Sequence, residues 1–482
     1  MAVVVNPLMS SFNEENVTAV ESKQHNTSTI TAIATATGKG GVGIIRISGP
    51  QSKVIAEKIS GKVIQQPRTA HYAKFYDDKN EIIDEGLILY FAAPNSFTGE
   101  EVVELQGHGS PVALDRLLKQ VIKTGATLAK PGEFSERAFL NGKLDLTQAE
   151  AIADLINASS EQAARCAMRS LQGVFSKQIY KLVEELIQLR VFVEAAIDFP
   201  DEEIDFLQIE QITSQLKNIT QRIESIFHDA NRGRLLQEGM TIVIAGKPNA
   251  GKSSVLNQLV GEDIAIVTDV AGTTRDVIRQ HIHLDGLPLH IVDTAGLRYT
   301  PDVVESEGVK RSLQQIEQAD RVLLIVDSNN ENFDAPLESL WPHDVGAMPA
   351  VEKISLVCNK IDLITMREKI ISAQEKNNIP VLILSAKTGE GMPELREYLK
   401  QSVGYSAATN EGQFTARRRH LNALEMAQQN IKKAITFIAQ QYQFEIIAEE
   451  LRLAQNNLNS ITGEFRADDL LGEIFSSFCI GK

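Results

Sequence analysis

The stretch "GKPNAGKSS" at residues 246–254 decides how this 482-residue chain is read. It follows the strand-like "TIVIA" at 241–245 and opens the helix-like "SVLNQLV". A glycine-rich turn between strand and helix that ends in Lys-Ser is a phosphate-binding loop in its required setting. Backbone N–H groups wrap the phosphates, Lys252 reaches the β/γ oxygens, and the Ser253 hydroxyl binds Mg²⁺. Asn249, Ala250, Gly251 and Ser254 complete the loop.

Three more motifs follow in a fixed order. "DTAG" closes the apolar run "LHIV". Asp293 can hold Mg²⁺ through water there, and with Thr294 and Ala295 in place the Gly296 amide can approach a γ-phosphate. "NKID" follows "ISLVC" and comprises Asn359, Lys360, Ile361 and Asp362. The Asp362 carboxylate can accept both hydrogen bonds from the N1–H and 2-amino group of guanine, which adenine cannot offer. "SAK", made of Ser385, Ala386 and Lys387, follows "VLIL" and suits base contact through its backbone. Between the first two motifs lies "AGTTRD", where Thr274 is placed to ligate Mg²⁺ and sense the γ-phosphate. Any one of these alone is equally a turn after a strand. Four in this order specify a GTP site rather than an ATP site.

Working outward, residues 239–403 alternate strands and helices, the pattern of a parallel doubly wound sheet. Residues 142–238 and 404–482 keep apolar residues at three- and four-residue spacing and read as helices. Residues 28–141 carry short β-like runs broken by Gly, Asn and Pro. The fold class read from this order is an α/β P-loop GTPase domain inserted into an all-α helical domain, preceded by a small α/β domain. "GKGGVG" at 38–43 is a tight turn rather than a second phosphate loop, because Ile44, Ile45 and Arg46 follow where Lys-Ser/Thr is needed.

Charge and cysteine usage narrow the class. The 48 Lys+Arg against 63 Asp+Glu give a net charge of −15, which disfavours non-specific nucleic-acid binding, so any RNA contact must be local. "FTARRRHL" offers such an edge in Arg417, Arg418 and Arg419 beside His420; a solvated helix start making salt bridges is an equal reading. The three cysteines, Cys166, Cys358 and Cys479, are far apart and form no CxxC, so neither a disulfide framework nor a zinc site is indicated. His108 in "QGHG" lacks a metal-spaced partner and reads as structural. No run of 18 apolar residues exists, residues 1–27 read as a polar leader rather than a targeting peptide, and a cytoplasmic location is expected.

Beyond the nucleotide motifs, "NSFTGEEVVELQGHG", "KPGEFSERAFLNGKLDL", "AIDFPDEEIDF" and the terminal "FCIGK" resemble the MnmE (TrmE) family of tRNA-modifying GTPases, from about residue 28 to 482. The resemblance implies an N-terminal domain similar to tetrahydrofolate-binding domains, which takes 5-formyltetrahydrofolate or a related one-carbon donor and makes a homodimer. Arg46, Glu104, Lys143 and Lys482 match the family's folate contacts; taken singly, each is equally surface charge or half of a salt bridge. It also implies K⁺ activation, with Asn249, Thr268, Val270 and Thr273 as ligands and Asp269, Ala271 and Gly272 completing that loop. By residue type alone, Asn249 is as readily a loop cap. Many GTPases orient the attacking water with a Gln after DxxG. Leu297 stands there, and the resemblance gives the task to Glu305, one of several acids in "PDVVESEG".

The family works with an FAD-dependent subunit of the MnmG (GidA) type in a heterotetramer or larger complex. Together they add an aminomethyl or carboxymethylaminomethyl group at C5 of the wobble uridine, U34, of certain tRNAs. Cys479 is the expected reactive residue of "FCIGK", as nucleophile, proton donor or positioned thiol. The rival function is a ribosome-assembly or signalling GTPase without one-carbon chemistry, which would share every nucleotide motif.

Overall fold

A computed structural model describes residues 28–198, 206–261, 279–284, 287–293, 319–329, 336–342, 347–364, 379–402, 414–440, 444–464, 474–476, 478 and 481. The chain divides into two compact units, Met1–Leu144 with Asp468–Lys482, and Asp145–Ala467.

In the first unit, strands β1 (Ile30–Ile33), β2 (Gly40–Ser48), β3 (His71–Tyr76), β4 (Ile82–Phe91), β5 (Val102–Gly109) and β6 (Thr127–Leu128) form one sheet in the order β3-β4-β5-β2-β1-β6. Its pairings are antiparallel except β1 with β6. Strand alternation decides the faces. Ile45, Ile47, Val103 and Leu105 enter a core with Ile55 and Ile59 of α1 (Ser52–Ser60) and Leu117 and Val121 of α2 (Pro111–Thr124). Arg46 and Glu104, one residue out of step, lie opposite each other in the β2–β5 register.

The described tail residues belong to this sheet, not to the helices that precede them in sequence. Phe475 and Phe478 pack on Gly132, just before α3 (Glu133–Leu140), and the Phe475 and Phe139 ring centroids are 6.4 Å apart. A Cβ on Gly132 would come 2.5 Å from the Phe475 carbonyl oxygen, and one on Gly481 would come 2.3 Å from that of Ile33.

The second unit holds helices α4 (Leu146–Ile156), α5 (Glu161–Leu171), α6 (Val174–Asp198) and α7 (Phe206–Glu238), then an α/β part. This α/β part contains β7 (Met240–Ala245), α8 (Lys252–Val260), β8 (Arg279–Leu284), β9 (Leu287–Asp293), β10 (Arg321–Asp327), β11 (Ile354–Asn359), β12 (Val381–Ile383) and α9 (Met392–Ser402). Helices α10 (Arg418–Ala439) and α11 (Phe444–Thr462) follow. The second sheet runs β12-β11-β10-β7-β9-β8. It is parallel as expected except at β8, which pairs antiparallel with β9. The step from Leu284 to Leu287 is too short for the crossover a parallel pair requires.

The insertion is visible in the packing. Leu186 and Val193 of α6, Leu216 and Ile223 of α7, Leu424 and Ile431 of α10, and Leu451 and Leu458 of α11 share one apolar core. Phe175 and Phe414, from the two sides of the insertion, stack with centroids 4.5 Å apart.

Charges close the same joint. Glu150 of α4 is 1% exposed. Arg419 Nε and Nη2 donate to its two carboxylate oxygens at 2.8 Å each, and Arg417 Nη2 donates to Asp154 at 2.9 Å. His420 Nδ1 accepts the Arg417 N–H at 2.9 Å, and its Nε2 stands 2.9 Å from Glu150 without hydrogen-bond alignment. Burial, then the charge of Arg419, pushes the His420 ring down to about 4. Burial alone would raise the Glu150 carboxyl, but Arg419 and His420 outweigh it and hold it far below the usual carboxylate range.

An unfolded histidine titrates near about 6.5. The unfolded chain therefore binds more protons at His420 between that value and about 4, so this contribution is full above about 6.5 and is lost as pH falls toward 4. Glu150 has the same sign at lower pH: its contribution is present above about 4.3 and is lost only in stronger acid. Urea unfolding of the full chain against pH should therefore show an acid loss that His420→Gln reduces by on the order of 3 kcal/mol. The same slope in both proteins between about pH 6.5 and 4 would exclude His420 as its source.

Candidate functional site

The loop leaving β7 has a backbone that few residues tolerate. Gly246 has φ +150°, and a Cβ there would lie 2.2 Å from the Ile325 carbonyl oxygen of β10. Gly251 has φ +96°, and its Cβ would lie 2.2 Å from Asn359 Nδ2. Asn249 takes φ +62°, a left-handed conformation that Asn adopts more readily than most residues. Lys252, the first residue of α8, folds over the loop and donates to the carbonyls of Gly246 at 2.6 Å and Lys247 at 3.0 Å. Ser253 follows it, exposed in the first turn.

Three of the sequence motifs are tied together by side chains. Asn359 Nδ2 donates to the Ala250 carbonyl at 3.0 Å, while its Oδ1 accepts the Ala386 N–H at 3.0 Å, so one buried carboxamide joins "GKPNAGKSS" to "SAK". Lys360 Nζ donates to the Asn249 carbonyl and to Asp327 Oδ2, each at 2.7 Å. Ser385 Oγ donates to Asp362 Oδ1 at 2.8 Å, aligning the expected base-reading carboxylate. Asp293 ends β9 opposite Ile244 of β7, beside the strand that enters the phosphate loop. Asp327 is a site residue that sequence reading missed; the strand-ending "VDSN" after an apolar run was the available signal.

The expected residues Thr268, Asp269, Val270, Ala271, Gly272, Thr273, Thr274, Thr294, Ala295, Gly296, Leu297, Glu305, Cys479 and Lys482 lie outside the described residues.

On the N-terminal sheet, Arg46 Nε and Nη2 both donate to Glu104 Oε1, at 3.0 and 2.9 Å. The Arg46 guanidinium stands 5.5 Å from the Phe97 ring centroid and 5.8 Å from that of Phe134. Gln106 Nε2 reaches Glu104 Oε2 at 3.3 Å, and Lys143 Nζ donates to the Pro94 carbonyl at 3.0 Å. Arg46 and Glu104 are thus one ion pair between two aromatic rings, while Lys143 holds the loop that carries Phe97. The two phenylalanines were missed as site residues, although both sit inside the quoted motifs "NSFTGEE" and "KPGEFSER". His108 pairs with Asp84 at 2.7 Å on an exposed edge, and that hydrogen bond and charge raise its pKa.

Of the two readings of "FTARRRHL", the structure favours the salt-bridged one. Arg417, Arg419 and His420 face Glu150 and Asp154 in the helical core, so the two arginine charges are neutralised internally and His420 is held neutral; of the three arginines, Arg418 alone is exposed. Among the described residues no group of three or more His, Cys, Asp or Glu forms a metal cluster, and no helix is long and apolar enough to cross a membrane.

Comparison with known proteins follows these two sites. The family description "MnmE helical domain" matches residues 146–479, and "GTP-binding protein TrmE N-terminus" matches residues 29–143. A protein named tRNA modification GTPase MnmE from Proteus mirabilis is 54% identical over 459 residues, covering 95% of this chain and 100% of that one. Its counterpart in Pectobacterium carotovorum is 55% identical over 95% of this chain and 100% of that one. The one in Stutzerimonas stutzeri is 55% identical over 94% of this chain and 99% of that one.

Two substitutions test the nucleotide site separately. Asp362→Asn replaces a double acceptor by one acceptor and one donor, which suits the 2-oxo edge of xanthine. It should weaken GDP binding by about 100-fold and favour xanthosine diphosphate in a fluorescent-nucleotide titration. Asn359→Ala removes both straps and should weaken both nucleotides by at least about tenfold, without a change of preference.

Proposed function

Because the chain belongs to the MnmE family of tRNA modification GTPases, we propose that it couples GTP turnover to C5 modification of the wobble uridine of tRNA. Family membership sets aside the ribosome-assembly or signalling alternative. The observation that carries the reading is the Asn359 and Lys360 strapping, which fixes the phosphate loop and the base-reading motif in one frame.

In this reading the Lys252 ammonium turns from the loop carbonyls to the β/γ oxygens of GTP. Ser253 and Thr274 would hold Mg²⁺, which neutralises charge on those oxygens; the exposed Ser253 hydroxyl in the first turn of α8 fits that task. Asn249, Thr268, Val270 and Thr273 would hold K⁺, whose charge would stabilise the transition state. The exposed side chain and left-handed backbone of Asn249 fit an outward-facing oxygen ligand. Glu305 takes the water-orienting task that Leu297 cannot perform.

For the one-carbon donor, 5-formyltetrahydrofolate or a relative, the half-buried Phe97 ring offers an apolar face to a pterin, the buried Phe134 backs the Arg46 guanidinium from the core, and Glu104 offers acceptors for the pterin's donor edge. Arg46, Lys143 and Lys482 supply positive charge for its carboxylates. Support for a role of Cys479 comes from its sequence neighbours Phe478 and Gly481, both packed on the N-terminal unit. The protein acts in the cytoplasm as a homodimer with an FAD-dependent MnmG (GidA)-type subunit, in a heterotetramer or larger complex.

Nucleoside analysis of tRNA from cells lacking the gene is the central test: loss of the wobble C5 modification is expected, and an unchanged profile would refute the proposal. Purified protein should hydrolyse GTP at least about tenfold faster in K⁺ than in Na⁺ at matched ionic strength, and Glu305→Gln should lose about 100-fold in kcat with GTP binding retained. Cys479→Ser should abolish modification while GTP hydrolysis stays normal.

A further inference from the structure

Strand β10 has a carboxylate at each end, and each grips a different part of the second unit. At the nucleotide end, Asp327 Oδ2 accepts from Lys360 Nζ, whose other bond holds the Asn249 carbonyl of the phosphate loop. At the opposite end, Asp320 leads into the strand. Its Oδ1 accepts from Arg234 Nη2 at 2.5 Å and its Oδ2 accepts the Thr241 N–H at 2.8 Å; its own N–H donates to the Thr241 carbonyl at 3.0 Å. Arg234 belongs to the last turns of α7; its Nε donates to Asn231 Oδ1 at 3.3 Å and its Nη1 to Glu238 Oε2 at 3.4 Å. Both charged side chains are largely sequestered, 10% exposed for Arg234 and 14% for Asp320.

We propose that β10 transmits the state of the nucleotide loop to the helical domain, with the Asp320–Arg234 pair as its coupling. Arg234 is then a positioning residue for tRNA modification and takes no part in GTP hydrolysis. The inference rests on the reading that GTP turnover drives modification.

The mechanical argument starts from the sheet. Strand β10 pairs with β7 on one side and β11 on the other, so it cannot slip by itself without breaking two ladders and turning every side chain to the wrong face. Seven steps of about 3.3 Å carry a displacement roughly 23 Å from Asp327 to Asp320. Leu235 and Leu236 of α7 pack in the same apolar cluster as Ile242, Leu323 and Ile325. Apolar contact of this kind is non-directional and permits sliding. The ion pair is directional, and the other partners of Arg234, Asn231 and Glu238, lie on α7 itself, so Asp320 is what fixes how α7 seats on the sheet.

The test uses the full chain with GDP or a non-hydrolysable GTP analogue and reads amide hydrogen exchange in the peptide covering residues 228–238. The wild-type protein should show a nucleotide-dependent difference there. Arg234→Lys should keep it and Arg234→Gln should lose it. In Arg234→Gln, GTP hydrolysis should stay within about twofold of normal while modification with the FAD-dependent subunit falls at least about tenfold. Asp320→Asn retains an acceptor for the Thr241 N–H and should reproduce the loss while circular dichroism shows the protein still folded at the assay temperature, which separates uncoupling from unfolding. A nucleotide-dependent difference that survives in Arg234→Gln, identical behaviour of the Gln and Lys variants, or a parallel loss of hydrolysis and modification would each overturn the coupling. Wild-type modification that proceeds without GTP would instead refute the functional reading, and the exchange measurement would still judge the coupling.

Discussion

A carboxylate with 1% exposure, Glu150, is gripped by Arg419 from 269 residues further along the chain, and the second unit depends on that grip. Between the two stands the whole α/β insertion. Were residues 239–413 a flexible loop, bringing their ends together would cost about 4–5 kcal/mol. The insertion folds, and its ends meet: a Cβ on Gly233 would come 1.8 Å from the Phe414 carbonyl oxygen, so only glycine lets α7 pass the returning chain. Ser170 Oγ donates to the Thr415 carbonyl at 3.1 Å beside the Phe175–Phe414 stack. The buried charges add direction to an apolar core that would otherwise accept several seatings of α10. Losing one partner of such a pair typically costs about 3–5 kcal/mol, because the other is left charged and buried.

The nucleotide site inherits this order through the sheet. The phosphate loop, "NKID" and "SAK" follow the carboxyl ends of the parallel strands β7, β11 and β12, and Asp293 ends β9, at the edge where ligands of open α/β sheets bind. Loops of that kind would be independently mobile, yet Asn359 and Lys360 bind two of them to the phosphate loop. The Asn359 strap explains why Gly251 cannot carry a side chain, and the closeness of β10 explains the same at Gly246. A Cβ at Gly251 would displace the Asn359 carboxamide, and one at Gly246 would push the loop away from β10.

What was legible in the sequence follows from distance along the chain. Each nucleotide motif is contiguous, its residues have one chemical purpose, and the strand before each is mostly apolar, so all of this is read from residues adjacent in sequence. The interrupted helical domain was legible from the change of period near Met240 and again near Ala416. "FTARRRHL" left two readings open because a cluster of arginines does not carry the identity of its partners. Glu150 and Asp154 look like ordinary polar positions of α4, and only folding turns them inward. Asp327 was missed for the same reason: its meaning depends on Lys360, which lies just past the next strand of the sheet but 33 residues away in sequence.

The carboxyl-terminal tail is a case where local residues look uninformative and position supplies the meaning. Phe475 and Phe478 are 2% and 6% exposed, and burying a phenylalanine is worth about 1.5–3 kcal/mol, enough for the pair to oppose the fraying expected of a chain end. Their rings meet edge to face at 5.4 Å, and the segment lies across Gly132, whose φ of +68° and missing side chain admit it. Gly481 then abuts Ile33, the neighbour of Ala32, and Ala32 stands opposite Arg46 in the β1–β2 register. Strand β1 and the described tail residues therefore converge on the strand row that carries the Arg46–Glu104 pair. Any chemistry on that row depends on the docking of the last residues as much as on the sheet itself.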